Sequence, residues 1–517
     1  MSKDFCLLDE PWLPVRLADG RVLELGLLEL FERSGEIVSL AETAPPSLVA
    51  QYRLLLAITH RALVTAFGNW RDKDRVRWYR EGLPLAEIRA YLELWRERFW
   101  LFHPDYPFMQ VAALASCPET AATYPPSTVS VELFYGTEMF NQDVYDNSPW
   151  LASASIRALL GYLQFVPGGF FPGKKLKSSE KAGPLVNTAA VLPVGQTLAR
   201  TLCLALHASP RVDAEPDLPS WERAPLAIAD LRGEPLLASG PNDRYTRQSR
   251  AVFFLRDGNG LIAKLHFAAG LSLGEDPNAP DPMASFRVGS NDLVRLKLED
   301  GRALWRDLPA LLPNAGAGSQ VAAVVQGAVA LHRELNPFEA VHQPLLVAGL
   351  ASDQAKLLRW RMEQIALPSA LLLEPDKALH LRERVAAADE LFSELKRLAT
   401  GMLAETMPEP HHKDTRSRAR SLVEAGPLAA SYFTAAERML PELLRLIGEG
   451  QPEQAEVLWC KALRQAAECA WQQLLKGLGS SARALRADAR YWPRFQDLLN
   501  RQVPLSYNPV TDKEAVS

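Results

Sequence analysis

Five cysteines, Cys6, Cys117, Cys203, Cys460 and Cys469, are too few, too scattered and too odd in number for a disulfide framework. No two form a CxxC pair, so no zinc knuckle is expected, and most read as small buried hydrophobes. No apolar run approaches the roughly 20 residues that a membrane helix needs. Met1 to Glu10 has no basic stretch followed by an apolar one, so no signal peptide is expected and the cytoplasm is the expected location. A basic excess is missing as well, since the formal net charge is −4. A free-standing DNA binder carries such an excess, because neutralising phosphates dominates its affinity. Any contact with nucleic acid must therefore use a local patch, or be shared with basic partner subunits.

Catalytic signatures are equally scarce. There is no GxSxG, no Walker A motif and no GxGxxG. None of the nine histidines sits in HExxH or at zinc spacing from a cysteine. The adjacent pair His411 and His412 reads as a solvated pair in a polar stretch. Asp72 and Asp74 lie in a charge-dense stretch that a solvated turn explains. No cofactor, metal or catalytic residue is expected.

What is present is a soluble globular composition, 48% hydrophobic and 23% charged. A chain of 517 residues exceeds one ordinary core, so two or three domains are expected. The fold class expected is α+β. A large mixed N-terminal domain with long ordered loops, residues 1–370, precedes an antiparallel four-helix bundle, residues 371–517. The first 40 residues mix strand-like pieces with turns. Helices are expected over 47–67 and 84–102, where apolar residues step by three and four. Residues 103–195 are rich in Pro, Gly, Tyr and Phe and read as long loops around one helix, about 150–164. Residues 245–268 read as a hairpin turning at Asp257-Gly-Asn-Gly260. Four amphipathic segments follow, about 376–405, 424–448, 452–477 and 480–500, with Pro and Gly breakers between them.

Three local features suit DNA. Val166-Pro-Gly-Gly-Phe-Phe-Pro-Gly-Lys-Lys175 carries Gly168 and Gly169, whose backbone N–H groups can approach a groove wall or phosphate. Lys174 and Lys175 would favour an anion there; the alternative is an ordinary Gly-Pro turn with solvated lysines. Arg483, Arg486, Arg490 and Arg494 share one helical face if the helix continues through Pro493. Lys476 to Arg501 holds six basic residues against two acidic ones. That face meets phosphate or a partner, or is a solvated face pairing with acidic neighbours. His411 to Arg420 reads as a basic loop between bundle helices, a phosphate contact or a solvated linker.

Taken in order, several stretches resemble the CasA family, the large subunit of the type I-E CRISPR Cascade surveillance complex. Leu7-Leu-Asp-Glu-Pro-Trp-Leu-Pro-Val15 resembles its N-terminal signature, and His103-Pro-Asp-Tyr-Pro-Phe-Met-Gln110 its HPxxPFMQ motif. Val166–Gly173 lies where the family carries a glycine loop. Arg244-Tyr-Thr-Arg-Gln-Ser-Arg250, then Asp281-Pro-Met-Ala-Ser-Phe-Arg287, resembles a YTxQSR … EPMxxxR arrangement. Leu350-Ala-Ser-Asp-Gln-Ala355 resembles the segment bearing a glutamine wedge. The order and spacing span nearly the whole chain.

The resemblance implies a non-catalytic subunit of a prokaryotic RNA-guided complex that reads the protospacer-adjacent motif (PAM) of duplex DNA. Guide pairing reads the sequence, and protein reads the short flanking motif. Gly168 and Gly169 then match the glycine loop, and Gln354 the wedge, flanked by Asp353 and Ala355. Arg247 and Arg250 are the nearest matches to a basic finger, with Lys264 further along. The implied partners are the other Cascade subunits, the CRISPR guide RNA complex, target double-stranded DNA and a helicase–nuclease. The bundle would touch the small subunits and a DNA strand. A scaffold without PAM reading, and an enzyme with its site in 103–195, are the competing readings.

Overall fold

The computed structural model describes residues 3–120, 122–130, 148–169, 176, 181–208, 215–277, 279–289, 292–313, 319–335, 341–353 and 356–504. They form two compact units. The first holds residues 1–300 and 318–366, the second residues 301–317 and 367–517.

In the first unit, α1 (Pro45–Phe67) is buried along most of its length. Pro45 and Pro46 open it, where missing N–H groups cost nothing. Gly68, at φ +72°, closes it with an N–H bond to the Val64 carbonyl. Helix α2 (Ala152–Phe165) packs on α1. The helix expected over 84–102 ends at Leu94. A 3-10 turn, Arg96–Arg98, and a strand, Trp100–Phe102, take its place. Phe99 lies between them, buried, so the apolar stripe continued while the helix did not.

Strand β1 (Ala190–Pro193) precedes the hairpin of β2 (Arg250–Arg256) and β3 (Ile262–Ala269). Gly260, at φ +84°, supplies the positive φ of the hairpin's turn, as its sequence demanded. Strands β4 (His342–Asp353) and β5 (Lys356–Pro368) follow. One sheet carries β5, β4 and β1 in that order, with Leu346 opposite Leu192. The stretches that resemble family motifs are interior fastenings. Gln110 donates to the Leu101 carbonyl at 2.7 Å and accepts the Phe254 N–H at 2.9 Å. Arg53 of α1 grips both carboxylate oxygens of Asp281 at 3.0 and 2.9 Å, with both side chains fully buried.

The second unit is helical. It holds α3 (Pro375–Glu405), α4 (Lys413–Ala425), α5 (Leu428–Glu437), α6 (Leu440–Gly448), α7 (Pro452–Leu478) and α8 (Ala482–Gln502). Three of the four long segments expected are α3, α7 and α8. The one expected over 424–448 is broken. Pro427 and Pro441 cannot continue the backbone ladder, so the chain restarts as α5 and α6. The basic loop expected over 411–420 is also corrected. From Lys413 it is α4, and the His412 ring caps it by accepting the Asp414 N–H.

Residues 301–317 fall within the span expected for the first domain, but they belong to the helical unit, and for a clear reason. Trp305 is buried against Trp459 and Phe433 at 5.7 and 6.0 Å. Arg306 lies over the Phe433 ring and pairs with Asp389 at 2.8 Å. Arg382 of α3 holds the carbonyls of Leu312 and Pro313.

Candidate nucleic-acid interface

Within the first unit, the glycine segment follows directly after α2. Val166 and Pro167 follow the last helical turn, and Gly168 and Gly169 are both exposed. Gly169 sits at φ +74°, a conformation that a side chain would strain. Lys174 and Lys175 lie outside the described residues.

The two ends of this segment are pinched together. The Gly183 N–H donates to the Val166 carbonyl at 2.7 Å, and the Leu185 N–H to the Gln164 carbonyl at 2.8 Å. A Cβ on Gly183 would stand 2.7 Å from the Gln164 carbonyl oxygen, so only glycine permits this approach. Gly183→Ala is expected to destabilise the chain by about 1–3 kcal/mol, because backbone must move. Thermal unfolding measures it, and an unchanged Tm would contradict the close approach.

The expectation that Arg247 and Arg250 form a basic finger is corrected. Both side chains are interior, at 2% and 0% exposure. Arg247 pairs with Asp243 at 2.7 Å and donates to the carbonyls of Leu236 and Leu237. Arg250 donates to the carbonyls of Lys181 at 2.9 Å, Ser249 at 2.8 Å and Pro167 at 2.7 Å. Neither can reach a phosphate from there. Arg244, three residues earlier, is buried too and holds the Ala279 carbonyl at 2.8 Å. The Arg244–Arg250 stretch is thus a row of interior staples. Lys264 on β3 is the exposed cation of that hairpin.

Gln354 and Ala355 lie outside the described residues. Their flanks are informative. β4 ends at Asp353 and β5 begins at Lys356, and the two are neighbours in one sheet. In sequence, Gln354 and Ala355 fall between the two strands of this β4–β5 hairpin. A ring contact links this hairpin to the glycine segment. Trp360 of β5 meets Phe165, the last residue of α2, edge to face at 5.2 Å. Nothing in the sequence marks that contact, which joins residues almost 200 apart.

In the second unit α8 runs unbroken through Pro493. Arg483, Arg486, Arg490 and Arg494 are all exposed along it. The opposite face buries Ala484, Ala487, Phe495, Leu498 and Leu499. Phe495 stacks on Trp471 of α7 at 4.5 Å, which fixes the rotation of the helix. Arg490 pairs with Glu405 at 2.9 Å, and the Arg494 guanidinium lies 5.1 Å from the Tyr491 ring centre. Trp492 is also 39% exposed beside this face.

A separate cavity of about 930 Å³ in the first unit is lined by Trp70, Arg75, His207, Arg244 and Asp281 among others. His207 stacks on His60 at 3.8 Å, and burial pushes the His60 imidazole down to about 3. None of the described residues lining the cavity falls within 103–195, where an enzymatic site was the competing expectation. Among the described residues no group of three or more His, Cys, Asp or Glu is placed to hold a metal.

Comparison with known proteins gives a consistent result. The family model described as CRISPR-associated protein Cse1 matches residues 7–470. A curated CRISPR-associated protein CasA/Cse1 of Thermus thermophilus is 36% identical over 509 residues, covering 96% of this chain and 97% of its own. The solved structure of Thermus thermophilus CasA (Cse1) superposes with a TM-score of 0.83 at 33% identity, covering 97% of this chain and 100% of that one. A chain of a solved CRISPR RNA-guided surveillance complex shares the fold, with a TM-score of 0.72 at 21% identity over 96% of this chain and 100% of that one. Among the described residues no helix is long and apolar enough to cross a membrane.

Proposed function

The chain belongs to the CRISPR-associated Cse1 family, and on that premise we propose that it is the large, non-catalytic subunit of an RNA-guided surveillance complex. Its partners are the other protein subunits and the guide RNA. In that assembly it reads the PAM of duplex DNA, starts strand separation and helps recruit the helicase–nuclease that cuts.

The observation that carries the PAM reading is the meeting of two segments in one unit. An exposed glycine turn and the β4–β5 hairpin are rooted together by the Phe165–Trp360 contact. A turn without side chains brings its N–H groups close to a minor groove, where readout is largely A·T versus G·C. Such reading tests groove width and the guanine amino group, and it tolerates several motifs. A hairpin tip inserted beside the motif unstacks a base step at a cost of a few kcal/mol, offset by new contacts. Opening there starts the seed heteroduplex. Lys264, rather than Arg247 or Arg250, supplies the basic finger, since its side chain is exposed. Asp353 and Ala355 flank the wedge, and Lys174 and Lys175 add positive charge beside the glycine turn. The negative net charge fits a subunit that shares its DNA with basic partners.

The test is duplex binding by the reconstituted complex, at fixed salt, on targets with and without a functional PAM. Gln354→Ala and Gly168→Asp are each expected to assemble normally. Each should lose PAM-dependent binding or opening by about tenfold to a hundredfold, the worth of one base contact. If both variants match the wild type, PAM reading at these positions is wrong and the subunit is a scaffold.

A further inference from the structure

We infer that Arg250 is a positioning residue for PAM reading: its buried guanidinium ties together the two ends of the glycine segment and so fixes how Gly168 and Gly169 are presented. The inference rests on the reading that this turn meets the duplex.

The geometry is specific. Arg250 opens β2 and is fully buried. One terminal nitrogen, Nη2, donates to the carbonyl of Pro167, immediately before Gly168, at 2.7 Å. The other, Nη1, donates to the carbonyl of Lys181 at 2.9 Å, on the returning strand of chain. One planar group thus spans the neck. Neighbouring residues sew the same region to α2. Ser249 donates its hydroxyl to the Leu163 carbonyl at 2.5 Å, and Gln164 donates its side-chain amide to the Tyr245 carbonyl at 2.9 Å.

The neck is already closed without this arginine. The Gly183–Val166 and Leu185–Gln164 backbone bonds do that, one and three residues further in. Burying a guanidinium is costly, and closing a loop does not require it. What Arg250 adds is a tie at the outermost position, next to the exposed glycines. Its rigid fork fixes two carbonyls at a set distance and angle. Lysine, a point charge on a flexible stem, cannot hold both in that geometry. A turn that reads a groove through its backbone depends on this, because no side chain can adjust for a misplaced N–H.

The experiment uses the full chain and the reconstituted complex. Arg250→Lys and Arg250→Gln are compared with Gly168→Asp and with Arg247→Lys. Arg247 is comparably buried but holds the Leu236 and Leu237 carbonyls instead. Binding is measured on a fully paired target with and without a PAM, and on a target pre-opened beside it. Backbone order at Gly168 and Gly169 is followed by amide relaxation in the free chain, which needs only that the variant fold. For Arg250→Lys the PAM to no-PAM affinity ratio is expected to fall by about tenfold to a hundredfold, the value of charge-assisted hydrogen bonds. Binding to the pre-opened target should stay at the wild-type level, and the order parameters of the two glycine amides should fall. Arg247→Lys should lower Tm and leave the ratio alone. The inference is overturned if both Arg250 variants keep the ratio while Gly168→Asp collapses it, or if the order of the two glycine amides is unchanged. It is also overturned if Arg247→Lys moves the ratio equally, since general destabilisation then explains both. If Gly168→Asp itself keeps the ratio, the turn does not read the PAM, and the inference falls with that reading.

Discussion

Asp281→Ala is expected to cost about 3–5 kcal/mol of stability, because it leaves the Arg53 charge buried without its partner. That is a large share of the roughly 5–15 kcal/mol that separates folded from unfolded states. The pair is fully enclosed, and the Met283 N–H bonds the same carboxylate at 3.0 Å. The Arg53 guanidinium lies 4.3 Å from the Tyr245 ring centre. One arm of the pair sits mid-way along α1 and the other in the Asp281–Arg287 stretch, so losing it loosens the centre of the first unit. The double change Arg53→Met with Asp281→Leu should recover much of the loss, since no charge is then stranded. Calorimetric unfolding of the single and the double variant checks this. Equal loss in the single and double variants would show that packing, rather than charge, is at stake.

Acid should weaken the same pair. Burial works to raise the Asp281 carboxyl, but the Arg53 charge and its hydrogen bonds outweigh it and hold the group below the usual carboxylate range. A depressed folded value means the pair's contribution is complete above the unfolded carboxylate pKa, about 3.9. It is lost as the pH falls through the lower, folded value. The stability gap between wild type and Asp281→Asn should therefore be constant near neutrality and narrow only in strong acid. A gap that narrows between pH 7 and 5 would contradict the depressed value.

Replacing Arg483, Arg486, Arg490 and Arg494 together by alanine is expected to weaken DNA binding by the complex regardless of PAM. Each phosphate neutralised contributes about 0.7–0.9 to the slope of log affinity against log salt. If each of these arginines neutralises one phosphate, removing all of them flattens that slope by about three. The face is exposed along α8 while the opposite face is locked by Phe495 on Trp471, so the substitutions should leave Tm nearly unchanged. The Arg490–Glu405 pair is exposed and contributes little. If salt dependence stays the same but subunits fail to assemble, the face meets protein rather than phosphate. If neither changes, it is a solvated face.

The helices and the β2–β3 hairpin were legible because their signals are local. The turn residues of Asp257–Gly260 demand a hairpin wherever they occur, and a stripe such as Leu381, Val385, Ala388 and Leu395 buries one side of α3 in any setting. The broken α5–α6 segment keeps its apolar stripe but contains Pro427 and Pro441, so its periodicity suggests one continuous helix that the backbone does not allow. The arginines mislead for a different reason. Arg247, Arg250, Arg483 and Arg486 look alike in sequence, being basic and spaced by three. Two of them end in the interior and two in water. Residue type and spacing carry no information on which carbonyls a distant loop will offer.

Composition and motif order thus determined the α+β class, the helical C-terminal part, the family and the segments worth watching. They did so because apolar periodicity, turn chemistry and the succession of short motifs are properties of neighbouring residues. Only tertiary structure placed residues 301–317 among the C-terminal helices, turned Arg250 inward onto Pro167 and Lys181, and set Trp360 against Phe165. Those facts depend on which surfaces meet after the chain has folded back on itself. Burial can reverse what a charged side chain does, from meeting solvent or phosphate to holding a backbone in place.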